Sequence, residues 1–157
     1  MSPHVDFTHG CGCGMTYTPD AYPYLFRYTY PEIITSNRFI HDEKKGWKKH
    51  LNYAFVFGLI YDVAVYRCRK SLEDAPNFGE YVRTLVDKRR KHLNHFIYGK
   101  FDLPSMPLPE RIWGAEYTFE GETVIALWND TENDFILPSG KDAGKALSAG
   151  EAEVFHV

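Results

Sequence analysis

Residues 50–67 read HLNYAFVFGLIYDVAVYR, and this stretch joins two kinds of local structure. From Asp42 onward, apolar residues recur at spacings of three and four with lysines opposite them, which predicts an amphipathic helix. Gly58 is suited to end that helix, because glycine adopts left-handed backbone conformations freely. Residues 59–66 are rich in β-branched and aromatic residues and favour a buried strand, with continuation of the helix to Arg69 as the alternative. The apolar helix positions are Trp47, Leu51, Ala54 and Phe55, and the lysines are Lys44, Lys45, Lys48 and Lys49.

Two further strands are predicted upstream of this stretch. HVDFT at residues 4–8 alternates in the manner of a short strand, and the three glycines of HGCGCG at 9–14 predict a loop. YLFRYTY at residues 24–30 contains aromatic and β-branched residues without a helical period, and Pro31 then removes a backbone donor. The chain is therefore expected to run strand, loop, strand before the helix at Asp42.

A second helix is predicted over residues 77–98, with Gly99 just past its end and Asp74 or Asn77 as its N-cap. The stretch LPSMPLPE at 103–110 follows, and its three prolines interrupt both helix and central strand. The apolar stripe of the helix consists of Phe78, Tyr81, Val82, Leu85, Leu93, Phe96 and Ile97.

Charge divides the chain near the prolines. Residues 1–101 carry 15 Lys and Arg against 10 Asp and Glu, whereas residues 102–157 carry 3 against 11. We therefore expect an α/β segment over 1–101, a proline-rich linker over 102–110 and an antiparallel β module over 111–157. The module is expected to form four short strands within 115–130, 135–137 and 152–157.

Alternation within the module gives its strands two apolar faces. Val124, Ala126 and Trp128 are predicted on one face, and Thr123, Ile125 and Leu127 on the other. One face is expected to pack within the module and the other against the last helix, whose basic residues would meet an acidic rim.

Composition excludes several classes of protein. The chain has 157 residues and a formal charge of -3, so it supplies no general attraction to nucleic acid. No apolar run approaches the roughly 18 residues that span a bilayer. Three cysteines and the lack of a visible secretory signal favour a cytoplasmic, reducing location. Aromatic residues make up 16%, which favours a packed core, a partner surface or a sugar-like ligand.

The order of these elements resembles the closing portion of a (β/α)8 barrel followed by a β-sandwich. HGCG, YPYLFRYTYPEIITSNR at 22–38, the stretch at 50–67 and HFIYGKFD at 95–102 are similar to the late strands and last helices of bacterial α-galactosidase-like glycoside hydrolases. The resemblance implies an α/β fold, with a partial (β/α)8-barrel-like segment followed by a small antiparallel β-sandwich-like module. HVDFT would be the sixth barrel strand, YLFRYTY the seventh and LIYDVAVY the eighth.

About 100 residues precede the linker, which is enough for at most three of eight barrel strands. We therefore expect either a fragment of a longer enzyme or a chain that forms a homo-oligomer or binds a second chain completing the barrel. The expected function is that of a carbohydrate-active protein, the C-terminal part of a glycoside hydrolase, which contributes substrate-side loops without a complete catalytic pair. The alternative is a non-catalytic sugar-binding or protein-interaction module.

Glu32 and Asp62 are the candidate catalytic carboxylates. Glycosidic cleavage requires one carboxyl group to protonate the leaving oxygen and another to attack or to activate water. Glu32 follows a predicted strand and is expected at the carboxyl-terminal mouth of the barrel, while Asp62 interrupts an apolar run. The alternative is structural, with Glu32 a solvated or helix-capping acid and Asp62 a member of a buried ion pair.

Candidate substrate contacts lie in two predicted loops, at 9–14 and 32–38, and at Tyr30 near the proposed barrel mouth. His4, His9, Cys11 and Cys13 contain metal-capable atoms, but the spacing of the cysteines favours a glycine-rich ligand loop over a zinc site, and no cofactor is predicted. The basic run DKRRKHLNH at 87–95 is interpreted as a solvated helix face rather than an RNA or phosphate site. The predicted substrate-binding residues are His9, Cys11, Cys13, Tyr30, Asn37 and Arg38.

Overall fold

The computed structural model of the chain describes residues 7–10 and 24–157, which form a mixed α/β structure. Three parallel strands, β1 (Phe7–Gly10), β2 (Ile34–His41) and β3 (Ile60–Ala64), pair in the order β1-β2-β3. Helix α1 (Tyr24–Thr29) lies between β1 and β2 in the chain, and helix α2 (Trp47–Val56) lies between β2 and β3. The α/β class is confirmed, and within the described residues the sheet does not close into a barrel.

The predicted strand at residues 24–30 is wrong, because this segment forms α1 and the strand follows it as β2. Aromatic residues suit both structures, and here Phe26 and Tyr30 meet at the helical spacing of four, with ring centroids 5.4 Å apart. Arg27 is buried and donates through Nη1 to the carbonyls of Pro31 and Ile33, at 2.9 and 3.1 Å. These bonds satisfy backbone acceptors at the point where the chain turns from α1 into β2.

The end of α2 decides between the two interpretations of residues 59–66. Gly58 has a φ of 63°, its N–H donates to the carbonyl of Phe55 at 3.2 Å, and Leu59 N–H donates to Ala54 at 2.9 Å. This pair of bonds is the Schellman pattern that ends helices at a left-handed glycine. The strand prediction is therefore confirmed as β3, and continuation of the helix to Arg69 is wrong.

The long helix predicted over 77–98 is two helices, α3 (Pro76–Lys91) and α4 (Leu93–Tyr98), and Ala75 is the N-cap of α3. A short 3-10 turn, Leu72–Asp74, precedes α3, and the Asp74 carboxylate caps that turn rather than α3. The chain leaves helical geometry at His92, where φ is -123°. The break rotates α4, so Leu93 and Ile97 are exposed instead of joining the buried stripe.

A four-stranded antiparallel sheet follows, in the order β4-β5-β6-β9, beside a two-stranded ladder of β7 and β8. Residues 103–111 connect neighbouring strands β4 and β5, so the sheet begins before the proline-rich stretch and continues after it. The strands are β4 (Lys100–Asp102), β5 (Ile112–Phe119), β6 (Glu122–Asn129), β7 (Phe135–Ile136), β8 (Ala146–Leu147) and β9 (Ala152–His156).

Both faces of β6 are buried, as its alternation predicts. Val124, Ala126 and Trp128 join a core that includes residues of α2, α3 and α4. Ile125 and Leu127 join a smaller core on the other face with Met106, Leu137, Leu147 and Phe155. The helix-facing side is therefore part of one continuous core with the helices.

Ion pairs surround this interface, as expected from the charge division. Lys88 of α3 lies 3.1 Å from Glu153 and also donates to the carbonyl of Ala152 at 2.7 Å. Helix α2 contributes two further pairs, in which Lys49 lies 2.6 Å from Asp130 and Lys48 lies 3.5 Å from Glu151. Basic helices thus face the acidic rim of the β module.

For Arg89, the prediction that residues 87–95 form a solvated helix face is wrong. The side chain does not lie on a solvated face, because its guanidinium donates to the carbonyls of Leu59, Ala54 and Phe55 at 2.8, 3.0 and 3.3 Å. The rings of Tyr61 and Phe96 also lie 4.7 and 5.3 Å from the guanidinium carbon. A cation therefore occupies the negative end of α2 and satisfies its last carbonyls.

Replacing Trp128 tests the continuous core. The side chain is buried and stacks on Trp113 with ring centroids 6.0 Å apart. We expect Trp128→Ala to lower the free energy of unfolding by about 3 to 5 kcal/mol, the usual range for a large buried aromatic. Urea unfolding provides the measurement, with exposed Ile136→Ala as the control that should change stability by less than about 0.5 kcal/mol. An unchanged unfolding midpoint together with loss of sugar binding would instead make Trp128 a ligand platform.

Replacing Arg89 by lysine tests the guanidinium bridge. Lysine keeps the charge but cannot donate to three separated carbonyls from one planar group. We expect Arg89→Lys to cost about 1 to 3 kcal/mol of unfolding free energy, because buried acceptors lose their donors. The matched control is Arg90→Lys at the exposed neighbouring position, which should change stability by less than about 0.5 kcal/mol. Equal stabilities of the two variants would contradict the assigned role of Arg89.

Candidate functional site

The three parallel strands place their carboxyl ends at Gly10, His41 and Ala64, which together define the carboxyl edge of the sheet. The opposite end is formed by Phe7, Ile34 and Ile60. Ligand sites in parallel α/β proteins gather outside the carboxyl ends of strands. The position of each candidate residue along the sheet is therefore the first test of its role.

Glu32 and Asp62 lie at different levels of the sheet. Glu32 precedes β2 and is exposed near the amino ends of the strands, so the expectation that it lies at the carboxyl mouth is wrong. The misassigned strand at 24–30 caused this error, because the true strand begins after Glu32. Ser36 is in register with Ile60, which puts Asp62 four residues, roughly 13 Å, beyond Ile34 along the strands. The structure does not bring the two carboxylates together.

Asp62 lies on the sheet face that points away from the helices. Its neighbours Tyr61 and Val63 pack against the helical core, so alternation places Ile60 and Asp62 on the opposite face. Ser36 shares that face through its register with Ile60. Asp62 is half-buried and Ser36 is buried. We call this the inner face of the sheet. It is polar at Ser36 and Asp62, and it is apolar at Ile34 and Ile60, near the amino ends of the strands.

The predicted substrate contacts do not form a single group. Asn37 is buried in β2 beside Gly10 and Tyr61, and its Nδ2 lacks a hydrogen-bond partner among the described residues. His9 is in register with Ser36, and Arg38 lies at an irregularity of β2 between Asn37 and Ile40; for these two the structure describes the backbone position. Tyr30 follows α1, away from the carboxyl edge. Cys11 and Cys13 lie outside the described residues.

Two loops are tied together at the carboxyl edge. The Asp42 carboxylate accepts a hydrogen bond from the N–H of Tyr66 at 2.7 Å, and Glu43 pairs with Arg67 at 3.1 Å. Tyr66, Arg67 and Cys68 all have left-handed backbones, with φ of 45°, 57° and 63°. Non-glycine residues adopt this conformation at a cost of about 1 to 2 kcal/mol each, and bonds to the neighbouring loop oppose that cost. The sequence shows no glycine there, so it gave no signal for this turn.

A histidine on α2 lies near the same edge. Burial is the main cause that lowers the pKa of His50 to about 4, and the positive charges of Lys44 and His41 contribute to the same shift. The imidazole is therefore neutral near pH 7. Neutral imidazole both donates and accepts hydrogen bonds, so this group suits contact with uncharged polar ligands.

At the opposite end, a cleft of about 750 Å³ opens between α4 and the amino ends of β2 and β3; we call it the amino-end cleft. Ile34, Ile60, Leu93 and Ile97 contribute apolar walls, and Glu32 also lines it. Half-buried Tyr61 lies beside Arg89, which lines the cleft, and burial of the Tyr61 hydroxyl raises its pKa to about 12 despite that cation. The sequence did not predict this cleft, because the cleft depends on the break between α3 and α4 at His92.

In the described ranges 7–10 and 24–157, no group of three or more His, Cys, Asp or Glu side chains is placed to hold a metal ion. Cys68 is an exposed free thiol. In the same ranges, no helix has the length and apolar character needed to cross a bilayer.

The depressed pKa of His50 predicts acid sensitivity. The folded state binds its proton less readily than the unfolded state, whose histidine pKa is about 6.5, so stability should fall as pH decreases from about 6.5 to 4. We expect the contribution of His50 to be about 1 kcal/mol, because solvent screens a half-exposed group. Urea midpoints measured across this range should fall less steeply for His50→Gln than for the unmodified chain. Identical slopes would show that His50 does not couple folding to protons.

Comparison with protein-family models and with curated proteins finds no match to this sequence. The function proposed below is therefore inferred from the residues at the two ends of the parallel sheet.

Proposed function

We propose that this chain is the C-terminal part of a (β/α)8-barrel glycoside hydrolase, in which β1, β2 and β3 are the sixth, seventh and eighth barrel strands. The observation that carries this proposal is the order of the sheet, since three parallel strands neighbour one another in chain order with helices between them. An antiparallel β module then follows, as the resemblance requires. The seventh strand is Ile34–His41 rather than the segment at 24–30.

The proposed substrate side is the carboxyl edge together with the inner face of the sheet. Asp62 is the one carboxylate that the three described strands place on this face. An ionised carboxylate accepts charge-assisted hydrogen bonds from sugar hydroxyl groups, which is the role we assign to it. His9 and Arg38 remain candidate contacts through their positions in β1 and β2. Tyr30 and Glu32 take no part in this site.

This chain contributes binding rather than a complete reaction centre. Cleavage with retention needs two carboxyl groups about 5 to 5.5 Å apart, and inversion needs about 6.5 to 9.5 Å. Asp62 has no carboxylate partner on the described inner face, and Glu32 precedes β2 near the amino ends of the strands. The second carboxylate would come from earlier barrel strands, supplied by a longer polypeptide or by a second chain.

Asp62→Asn tests the proposed site. We expect the chain alone to hydrolyse no aryl glycoside, and to bind monosaccharides with a signal in saturation-transfer NMR that Asp62→Asn reduces about tenfold or more. The matched control is Asp87→Asn, since Asp87 is an exposed acid on α3. Turnover that Asp62→Asn abolishes would contradict the incomplete centre. Sugar binding that is absent, or equal in the two variants, would contradict the carbohydrate assignment.

A protein-interaction module is the second candidate function. The observation that favours it is the amino-end cleft, where exposed apolar side chains from the sheet and from α4 lie next to one another. Such patches on soluble domains mark surfaces that bind other molecules.

A further inference from the structure

Three histidines lie close together where α3, α4 and β9 meet, and we call them the imidazole cluster. The ring centroid of His92 lies 5.3 Å from that of His156 and 6.1 Å from that of His95. His92 is the residue at which the chain leaves α3 and enters α4, while His95 belongs to α4 and His156 to β9. All three side chains are half-buried, and Nε2 of His95 is buried without a hydrogen-bond partner among the described residues. The cluster therefore joins the helix break to the antiparallel sheet through side chains of the type that changes charge between pH 5 and 8.

Two acids beside the cluster are paired with lysines. Glu153 of β9 lies 3.1 Å from Lys88 of α3. Asp142 accepts a hydrogen bond from the backbone N–H of His156 at 2.9 Å, and its carboxylate lies 2.7 Å from Lys145. Because these carboxylates are shared with lysines, they offset positive charge on the imidazoles only in part.

His92 is unfavourably placed for protonation. Burial is the main cause that lowers the pKa of His92, and the negative charge of Glu153 opposes this shift. Neighbouring positive charges contribute to the lowering, from His156, His95 and Lys91. Imidazolium rings at these separations repel one another, so protonation of the cluster disfavours the packed arrangement.

Helix α4 is attached to the sheet by few contacts. Its six residues contribute one buried side chain, Phe96, whose ring centroid lies 4.5 Å from that of Tyr117 in β5. His95 adds an edge contact with Phe119, in which the ring centroids are 6.0 Å apart. Short segments with few buried contacts open locally at a lower free energy than the core does. The packing of α4 is therefore the part of this region that protonation can change most readily.

We propose that the imidazole cluster is a proton-sensitive latch, which holds α4 against the antiparallel sheet at neutral pH and releases it as the histidines are protonated. In the released state the imidazoles are separated and hydrated, so they bind protons more readily, and the equilibrium shifts toward release as pH falls. Leu93 and Ile97 line the amino-end cleft, so release of α4 also changes the apolar wall of that cleft. This proposal does not depend on carbohydrate binding.

Hydrogen exchange of the full chain, followed by NMR, tests the latch. The amides of Phe96 and Gly99 donate to the carbonyls of His92 and His95, so their exchange reports the opening of α4, while the amide of Leu59 reports the core. We expect the opening equilibrium constant of α4 to rise about fivefold more than that of Leu59 between about pH 7.5 and about pH 5.5, after correction for intrinsic exchange. One histidine whose pKa is about 6.5 when released contributes up to about tenfold at the lower pH.

Substitutions at the cluster separate charge from packing. His92→Gln cannot take up a proton, so it should reduce the pH response of α4 to about twofold or less, and His156→Gln should reduce the response as well. His92→Lys carries a positive charge at every pH used, so it should raise the opening of α4 about fivefold at about pH 7.5. The control is His50→Gln, which removes an acid-sensitive group on α2 and should leave the response of the α4 amides unchanged. Circular dichroism confirms that each variant folds.

Opening of α4 that does not change with pH would overturn the proposal. Equal changes at α4 and at Leu59 would also overturn it, because acid would then open the whole core rather than α4. A full pH response in both His92→Gln and His156→Gln would contradict the assignment to the cluster. The same would follow if α4 opened equally in His92→Lys and His92→Gln at about pH 7.5.

Discussion

The carbonyl groups at the end of α2 constrain the rest of the structure, because they are buried where the helix turns into β3. Arg89 of α3 donates to three carbonyls there, and the hydroxyl of Tyr117 in β5 donates to the carbonyl of Val56 at 2.7 Å. Buried carbonyls require donors, so α3 and the antiparallel sheet are both held to this point. Gly58 belongs to the same arrangement, since a Cβ atom there would lie 2.8 Å from the hydroxyl oxygen of Tyr117.

Because α3 and the antiparallel sheet are both held to the end of α2, the basic helices and the acidic β module share one core. The basic residues lie mainly on the helices and the acidic residues on the β module, and the two sets meet as ion pairs around an apolar interface. Trp128 and Val124 pack in the same core as Leu51 and Leu85. Exposed ion pairs add little stability individually, so the shared apolar core provides most of the attachment between the two parts.

The two ends of the parallel sheet differ in their chemistry. Its carboxyl edge carries polar loops fixed by Asp42 and Glu43, and its amino end opens into the apolar cleft beside α4. Polar groups in fixed positions suit recognition of a hydroxylated ligand, whereas exposed aliphatic side chains suit contact with protein. The proposed sugar site therefore lies toward the end of the three strands that is opposite the amino-end cleft.

The local sequence was sufficient to predict those elements for which several sequence features favour the same structure. Gly58 and the β-branched residues after it predict the end of α2 and the start of β3, and alternation in β6 predicts its two buried faces. Tertiary structure decided the segments whose residues suit more than one conformation. Residues 24–29 form a helix because Arg27 is buried against the following turn. Arg89 is half-buried, although its neighbours Arg90 and Lys91 are exposed. The position of Arg89, four residues after Leu85, indicated that it lies on the buried side of the helix. A charged group is stable there only when the fold brings unpaired carbonyls to it. These carbonyls belong to residues 30 or more positions away from Arg89 in the sequence.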